Sequence, residues 1–323
     1  MNISILIDLI KNRYNSKIII QPHDFPDYDA LASSFGLKKY LQNFGIKSLI
    51  YFDGFLSQFI NEEFLEYLDI PYTKNIYVES NFESFNAVVT VDTMPENTNI
   101  TKINGKEYIG FIDHHIHNTK DKDYHFEIYE KSAAVSSIII ELYKNNPGIE
   151  ISDNVANSLA IGLLTDTNSL SRGVEKNDLL NYYYLFNKID TEYVNYIVRN
   201  KISVDDLSYY YRAIKSLKMF GEIGLIIIDK VSNRNIVGII GDFFISLKEL
   251  SVIIMVNRMD AGTYISIRSE DDRYKANSLI KYIVKDIGQG GGHTYMAAGY
   301  TDKKLQYDFF KKVIGDVKNN FKQ

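Results

Sequence analysis

There is no cysteine in the 323 residues. Disulfides, thiolate metal sites and a cysteine nucleophile are therefore excluded, and His and Asp/Glu are left as the only strong metal ligands. No uninterrupted apolar run approaches the roughly 18–20 residues that a membrane span needs. Met1 to Ile10 is apolar in places, but Asp8 interrupts it, no basic region precedes it and no small-residue cleavage site follows, so it reads as an amphipathic helix. These absences lead us to expect a soluble cytoplasmic protein with no membrane partner. A Lys/Arg-rich block is also missing and the net charge is −5. Long nucleic acid usually needs a basic surface, so a small anionic substrate fits better than duplex binding. No internal repeat or low-complexity linker interrupts the chain.

What is present fills more than one domain. A hydrophobic content of 45% over this length can build two cores of unequal size. Lys17 to Gln21, Lys47 to Phe52, Ala87 to Val91 and Tyr108 to Ile112 read as strands. Helices are expected from the loop after Gln21 to about Asn43, from Leu56 to Leu68, from Ser132 to Tyr143 and from Asp153 to Leu164. This alternation predicts an α/β fold with a doubly wound, mostly parallel sheet. Lys176 to Lys218 reads as Tyr-rich helix. A new strand set then begins at Glu222–Val231, continues at Ser251–Val256 and Thr263–Arg268, and is joined by helices near Lys275–Asp286 and Lys304–Asn319, a second and smaller α/β domain. The expected boundaries are 1–175, a helical connector at 176–220, and 221–323.

The chemistry centres on Phe111-Ile112-Asp113-His114-His115, where a buried strand ends in a carboxylate and two imidazoles. That is the carboxyl edge, where open α/β sheets place ligands. Adjacent histidines on an extended segment point in opposite directions, which suggests one metal ligand and one catalytic group. Three polar residues after a strand are, taken alone, more often loop than site, so other carboxylates must decide. Between Gln21 and Ala30, a loop stiffened by Pro22 and Pro26 carries His23, Asp27 and Asp29. A lone Asp there would more often just cap the following helix, but three candidate ligands within seven residues reverse that reading. Asp92 ends another strand. Asp166 ends a helix, where a carboxylate opposes the dipole and calls for a positive partner.

His23, Asp27, Asp29, Asp92, His114 and Asp166 supply ligands for two cations. One would take His23, Asp27 and Asp92, and the other Asp29, Asp92, His114 and Asp166. Asp92 would bridge them at the separation of about 3.5–4 Å usual in two-metal hydrolases, with a hydroxide as nucleophile. Four carboxylates converging without cations would repel and raise their own pKa values. The donor set suits Mn²⁺, with Mg²⁺, Co²⁺ or Fe²⁺ as substitutes. In the second domain, Arg268-Ser269 and Gly290-Gly291-Gly292-His293 combine a bidentate phosphate donor with a glycine-rich turn whose N–H groups can approach an anion.

Taken together, these motifs resemble the DHH phosphoesterases. His23-x-x-Pro26-Asp27-x-Asp29-Ala30 resembles the first motif, Asp92 the second, Asp113-His114-His115 the third and Thr165-Asp166-Thr167 the fourth. The resemblance covers nearly the whole chain, and its second half resembles the DHH-associated domain. It implies that Arg268, Ser269, Gly290, Gly291, Gly292 and His293 grip a nucleotide, and that His115 touches the phosphate or protonates the leaving group beside the bridging Asp92. The two-domain size matches the nanoRNase and 3′-phosphoadenosine-5′-phosphate phosphatase branch. The expected activity is thus metal-dependent hydrolysis of short oligoribonucleotides, of 3′-phosphoadenosine-5′-phosphate, or of both. A cyclic or linear dinucleotide phosphodiesterase is the alternative, and a catalytically silent nucleotide-binding module is a reading of a different class. Pyrophosphatase and exopolyphosphatase branches share the first-domain motifs, but the Gly-Gly-Gly-His tail argues against them. A homodimer is compatible with the pattern. Tyr28 stands where the family usually has Gly, and Asn168-Ser169-Leu170 replaces a frequent Gly-x-Phe.

Overall fold

Three consecutive isoleucines, Ile18, Ile19 and Ile20, suit a strand buried on both faces. They form β1 (Lys17–Gln21), the second strand of a five-stranded sheet. The computed structural model describes residues 3–54, 56, 60, 62–68, 82–115, 124–199, 202–231 and 234–320. The chain divides into two compact units, Met1–Lys201 and Ile202–Gln323.

In the first unit β1 is joined by β2 (Lys47–Ile50), β3 (Ala87–Val91), β4 (Glu107–Asp113) and β5 (Phe126–Tyr129). The order is β2-β1-β3-β4-β5 and every pairing is parallel. Strand side chains alternate between the two faces. Ile18, Ile20, Val89 and Val91 enter the main core, while Ile19 and Val88 join Tyr51 and Phe85 in a smaller cluster. The main core includes residues of α1 (Ser4–Arg13), α2 (Tyr28–Gln42), α3 (Glu62–Tyr67), α4 (Val135–Lys144) and α5 (Asp153–Asp166). Helices α2, α4 and α5 pack on one another. The chain leaves β1 toward β2 and leaves β3 toward β4, on opposite sides. The carboxyl ends of β1 and β3 therefore flank a topological switch point, where such sheets form a crevice.

Helices α6 (Lys176–Leu185) and α7 (Thr191–Arg199) pack on α4 and α5, whereas α8 (Leu207–Ser216) packs on β7 (Ile223–Asp229). The expected connector at 176–220 is thus shared between the two units. Its last residues are not helical, because Lys218–Phe220 forms strand β6, antiparallel to β7.

The second unit holds a mixed sheet in the order β10-β11-β9-β8-β7-β6. It contains β8 (Val252–Met259), β9 (Gly262–Ser269), β10 (Gln289–Gly292) and β11 (Met296–Thr301). Helices α10 (Ala276–Val284) and α11 (Tyr307–Asn320) contribute to its core, and α9 (Arg234–Ile245) packs on β8 and β9. The glycine-rich segment read as a turn is the edge strand β10. Its antiparallel partner β11 supplies the pairing that the residues alone did not reveal. Two further elements, β5 and α9, lie outside the sequence expectations. The first is four residues long, and the second is apolar on most sides, so neither carries a decisive period. The helix expected at Leu56–Leu68 lies partly outside the described residues; its described portion is α3.

Candidate metal centre

Each candidate ligand in the first unit sits where an element ends. His23 and Asp27 follow β1, Asp92 follows β3, His114 follows β4, Asp29 lies in the first turn of α2, and Asp166 is the last residue of α5. The fold brings them into two groups. His23, Asp27 and Asp92 offer ligand atoms within 4.8 Å of one another, and so do Asp29, His114 and Asp166. Asp92 spans the groups: its Oδ2 lies 3.5 Å from His23 Nε2 and its Oδ1 lies 3.5 Å from His114 Nε2. His114 Nε2 is also 3.8 Å from Asp166 Oδ2. The Asp92 backbone has φ 60°, a left-handed conformation that costs a non-glycine residue of order 1–3 kcal/mol and that clusters at functional sites. The Asp92 N–H donates to Ile112 O at 3.0 Å, which ties this turn to β4.

Neighbouring groups orient the donors. Asp27 caps α2, its Oδ1 accepting from the Ala30 N–H at 3.0 Å. Capping and clustering with His23 are thus both present, although the sequence posed them as alternatives. The buried Asp29 carboxylate accepts from Val135 N–H at 2.7 Å and Ser136 N–H at 2.8 Å. It thereby takes the place of a side-chain cap on α4, whose own N-cap residue is Ala134. Gly162 on α5 makes room for this arrangement, since a methyl group there would lie 2.2 Å from Ser136 Oγ and 3.1 Å from Asp29 Oδ1. His114 Nδ1 lies 2.9 Å from the carbonyl oxygen of Ser132. A carbonyl can only accept, so Nδ1 carries a proton, and Nε2 is the ring atom that faces Asp92 and Asp166.

Asp113 holds the other imidazole. Its Oδ1 accepts from the backbone N–H of His114 at 2.7 Å and of His115 at 3.1 Å, and from His115 Nδ1 at 2.7 Å. The two rings do not diverge as strand geometry suggested: their centroids are 4.5 Å apart, and His115 Nδ1 is 3.7 Å from Asp92 Oδ1. The reason is that β4 ends at Asp113, so alternation no longer applies. Asp113 appeared in the sequence only as part of a motif; its support of His115 depends on a backbone turn that no spacing rule encodes.

The electrostatics show a site short of positive charge. Burial opposes protonation of His23, but the Asp92 carboxylate and the charge of Asp27 outweigh it and push the imidazole up to about 9. His114 is likewise held well above its usual value against burial, by Asp92, Asp166 and Asp29. Burial and the Asp92 charge push Asp29 up to about 6. Burial, followed by the Asp29 charge, raises Asp166 well above the carboxylate range. Asp92 goes the other way: burial would raise it, yet the His114 and His23 imidazoles beside it hold it well below that range. Asp92 Oδ1 is buried and makes no hydrogen bond among the described residues. An orphaned carboxylate oxygen amid oxygen and imidazole donors fits divalent cations of the Mn²⁺ or Mg²⁺ kind.

The DHH family N-terminal domain matches residues 17–163, and the DHHA1 domain matches residues 222–320. The chain belongs to the DHH family. An uncharacterized protein of Methanocaldococcus jannaschii is 27% identical over 298 residues, 92% of this chain and 59% of that protein. A probable manganese-dependent inorganic pyrophosphatase of Streptococcus thermophilus is 28% identical over 156 residues, 47% of this chain and 48% of that enzyme. The chain therefore spans only about half of these two curated relatives. The fold of an exopolyphosphatase-related protein from Bacteroides fragilis is similar, with a TM-score of 0.79 at 18% identity, covering 98% of this chain and 97% of that one. RecJ of Thermus thermophilus, solved with Mn²⁺, has a TM-score of 0.56 at 13% identity, covering 98% of this chain and 54% of RecJ.

Within this DHH-family chain, Tyr28 is buried. Its ring is part of the main core and meets Phe64 edge-on at 5.0 Å. After Asp166 the chain takes three left-handed residues, Asn168, Ser169 and Leu170. Thr167 secures the turn: its Oγ1 accepts from Leu170 N–H at 3.0 Å and donates to Leu163 O at 2.6 Å.

In the DHHA1 unit, Arg268 is already paired. Its Nε donates to Asp242 Oδ1 at 2.6 Å, and its Nη1 lies 3.0 Å from Ser266 Oγ. Its guanidinium lies close to α9, where a methyl group on Gly238 would come within 2.8 Å of Nη2. Ser269 is buried and closes a turn through Asp271. Gly290 and Gly292 pack too tightly for a side chain, whereas Gly291 faces open space. His293 follows β10; its N–H donates to Met296 O at 2.7 Å, and its carbonyl accepts from the Asn277 N–H at 3.1 Å in the first turn of α10.

Proposed function

We propose that this chain is a phosphoesterase whose first unit holds two divalent cations, Mn²⁺ by preference, with Asp92 shared between them. The observation that carries the reading is Asp92 itself, a buried, backbone-strained carboxylate with one oxygen turned to His23 and the other to His114. His23 and Asp27 would complete one cation's protein ligands, and Asp29, His114 and Asp166 the other's. When bound, the cations would supply Lewis acidity toward the phosphoryl oxygens and an activated water. The chain's own contribution is orientation and proton handling. Asp113 fixes the Nδ1 proton of His115, so contact with the phosphate or leaving group falls to Nε2.

Short oligoribonucleotides and 3′-phosphoadenosine-5′-phosphate are the substrates we propose, with linear or cyclic dinucleotides as the alternative. The acidic balance favours small anions, and the DHHA1 unit would bind a part of the substrate remote from the cleaved bond. In that unit the exposed Gly291 suits anion contact better than Arg268, which Asp242 already engages. The manganese-dependent pyrophosphatase relative supports the metal reading, and its match stops at about half of this chain. A silent binding module fits less well, since all six candidate ligands are present and converge. A panel of di- to pentaribonucleotides, cyclic dinucleotides, 3′-phosphoadenosine-5′-phosphate and pyrophosphate, assayed with Mn²⁺, tests the proposal. Preferential cleavage of pyrophosphate would overturn the substrate reading, and no cleavage of any of them would overturn the enzymatic one.

A further inference from the structure

A single peptide group carries the support of His114. Its carbonyl, that of Ser132, lies 2.9 Å from His114 Nδ1. The N–H of the same peptide bond, that of Ala133, donates to Asp178 Oδ2 at 3.1 Å. Ser132 Oγ donates to Asp178 Oδ1 at 2.6 Å, and the Glu175 N–H donates to Oδ2 at 2.8 Å. Asp178 is fully buried at 0% exposure. It lies on α6, beyond the segment that matches the DHH domain.

We infer that Asp178 is a positioning residue for His114, acting through the Ser132–Ala133 peptide. A carboxylate that accepts from a peptide N–H polarises the peptide and makes its carbonyl a stronger acceptor. A stronger acceptor at Nδ1 holds the ring in one tautomer and orientation and raises the basicity of Nε2, the atom that faces Asp92 and Asp166. Metal-binding histidines commonly lean on a carboxylate directly; here an amide is interposed. Asparagine would keep both peptide N–H donors on its carbonyl oxygen and offer its amide to the Ser132 hydroxyl, which can accept, so Asp178→Asn removes the charge that polarises the peptide and leaves the geometry in place.

A purely structural reading competes, because Asp178 and Glu175 also form the capping box of α6. The two readings separate in metal binding. The inference rests on the proposed metal centre, so the test titrates Mn²⁺ into the full, metal-stripped chain by calorimetry and by the electron paramagnetic resonance signal of unbound Mn²⁺. In Asp178→Asn one of two equivalents is predicted to weaken roughly 10- to 100-fold, the scale of lost outer support, while the other stays at parent affinity. Glu175→Ala, which removes the other half of the cap, should lower the Tm and leave both affinities unchanged. Parent affinities in Asp178→Asn, or the same weakening in Glu175→Ala, would overturn the inference. If Asp178→Asn does not fold, Ser132→Ala takes its place. It removes one partner of the carboxylate, and the same equivalent should weaken about threefold; two parent-like equivalents would overturn the inference. A parent chain that binds no Mn²⁺ would overturn the metal-centre reading and this inference with it.

Discussion

Asp113 and His115 form a hydrogen-bonded pair, 2.7 Å from Oδ1 to Nδ1, and the same oxygen also accepts the backbone N–H groups of His114 and His115. One carboxylate oxygen thus sets both the backbone turn and the tautomer of the ring. His115→Ala should lower kcat by roughly 10²–10⁴-fold, the scale of a positioned acid, while bound metal stays near parent levels. Elemental analysis alongside kinetics checks this; loss of metal would move His115 into the coordination shell.

Asp92 combines a strained backbone with the shared position, and two substitutions separate these features. Asp92→Asn and Asp92→Ala should both lose metal and activity. Asn tolerates the left-handed region better than Ala, so the metal-free Asn variant should be the more stable by about 1 kcal/mol. Denaturant unfolding of both metal-free variants gives the difference. Equal stabilities would mean that the φ of 60° carries no cost.

A substitution at Gly162 tests how tightly α5 packs against Asp29. In an open helix Gly→Ala would stabilise by roughly 1 kcal/mol. Here the added methyl would meet Ser136 Oγ at 2.2 Å, so Gly162→Ala should instead destabilise by about 1–3 kcal/mol and weaken metal binding. A neutral or raised Tm would show that Ser136 and Asp29 move aside without cost.

Much of this arrangement was legible in the sequence, for a physical reason. The six candidate ligands follow a strand, open a helix or close one, and strand order in an α/β sheet brings such ends together. The elements that support them were not legible. Asp113, Ser132, Asp178 and Gly162 act through backbone turns and contacts between residues distant in sequence, such as Ala133 with Asp178 or Gly162 with Ser136. The pairing of Arg268 with Asp242 was not legible either, since it joins residues 26 apart in sequence on different elements.

Arg268 itself gives a further test. Its pairing with Asp242 is partly buried, so Arg268→Ala removes a partly buried ion pair. We predict a loss of about 1–3 kcal/mol in stability. His293→Ala should lower kcat/KM for nucleotides far more than for bis-p-nitrophenyl phosphate, which lacks the remote portion. Equal losses on both substrates would remove His293 from substrate binding.

Metal affinity should rise with pH. A cation binding at His23 and Asp29 displaces protons from groups pushed up to about 9 and about 6. The metal-free protein holds these protons below those values, so competition falls as pH increases and the apparent Mn²⁺ affinity climbs from about pH 6 to about pH 8. Calorimetry in buffers of different ionisation enthalpy should record proton release that shrinks over the same range. A pH-independent affinity would contradict the proposed ligands.

The most direct measurement is the number of Mn²⁺ ions bound per chain at saturation, compared between the parent and Asp92→Asn. With Asp92 shared between two cations, the parent should bind two, and the single substitution should weaken both together and abolish phosphoester cleavage. A parent that binds only one ion, or an Asp92→Asn variant that keeps one site at parent affinity, would contradict the shared centre.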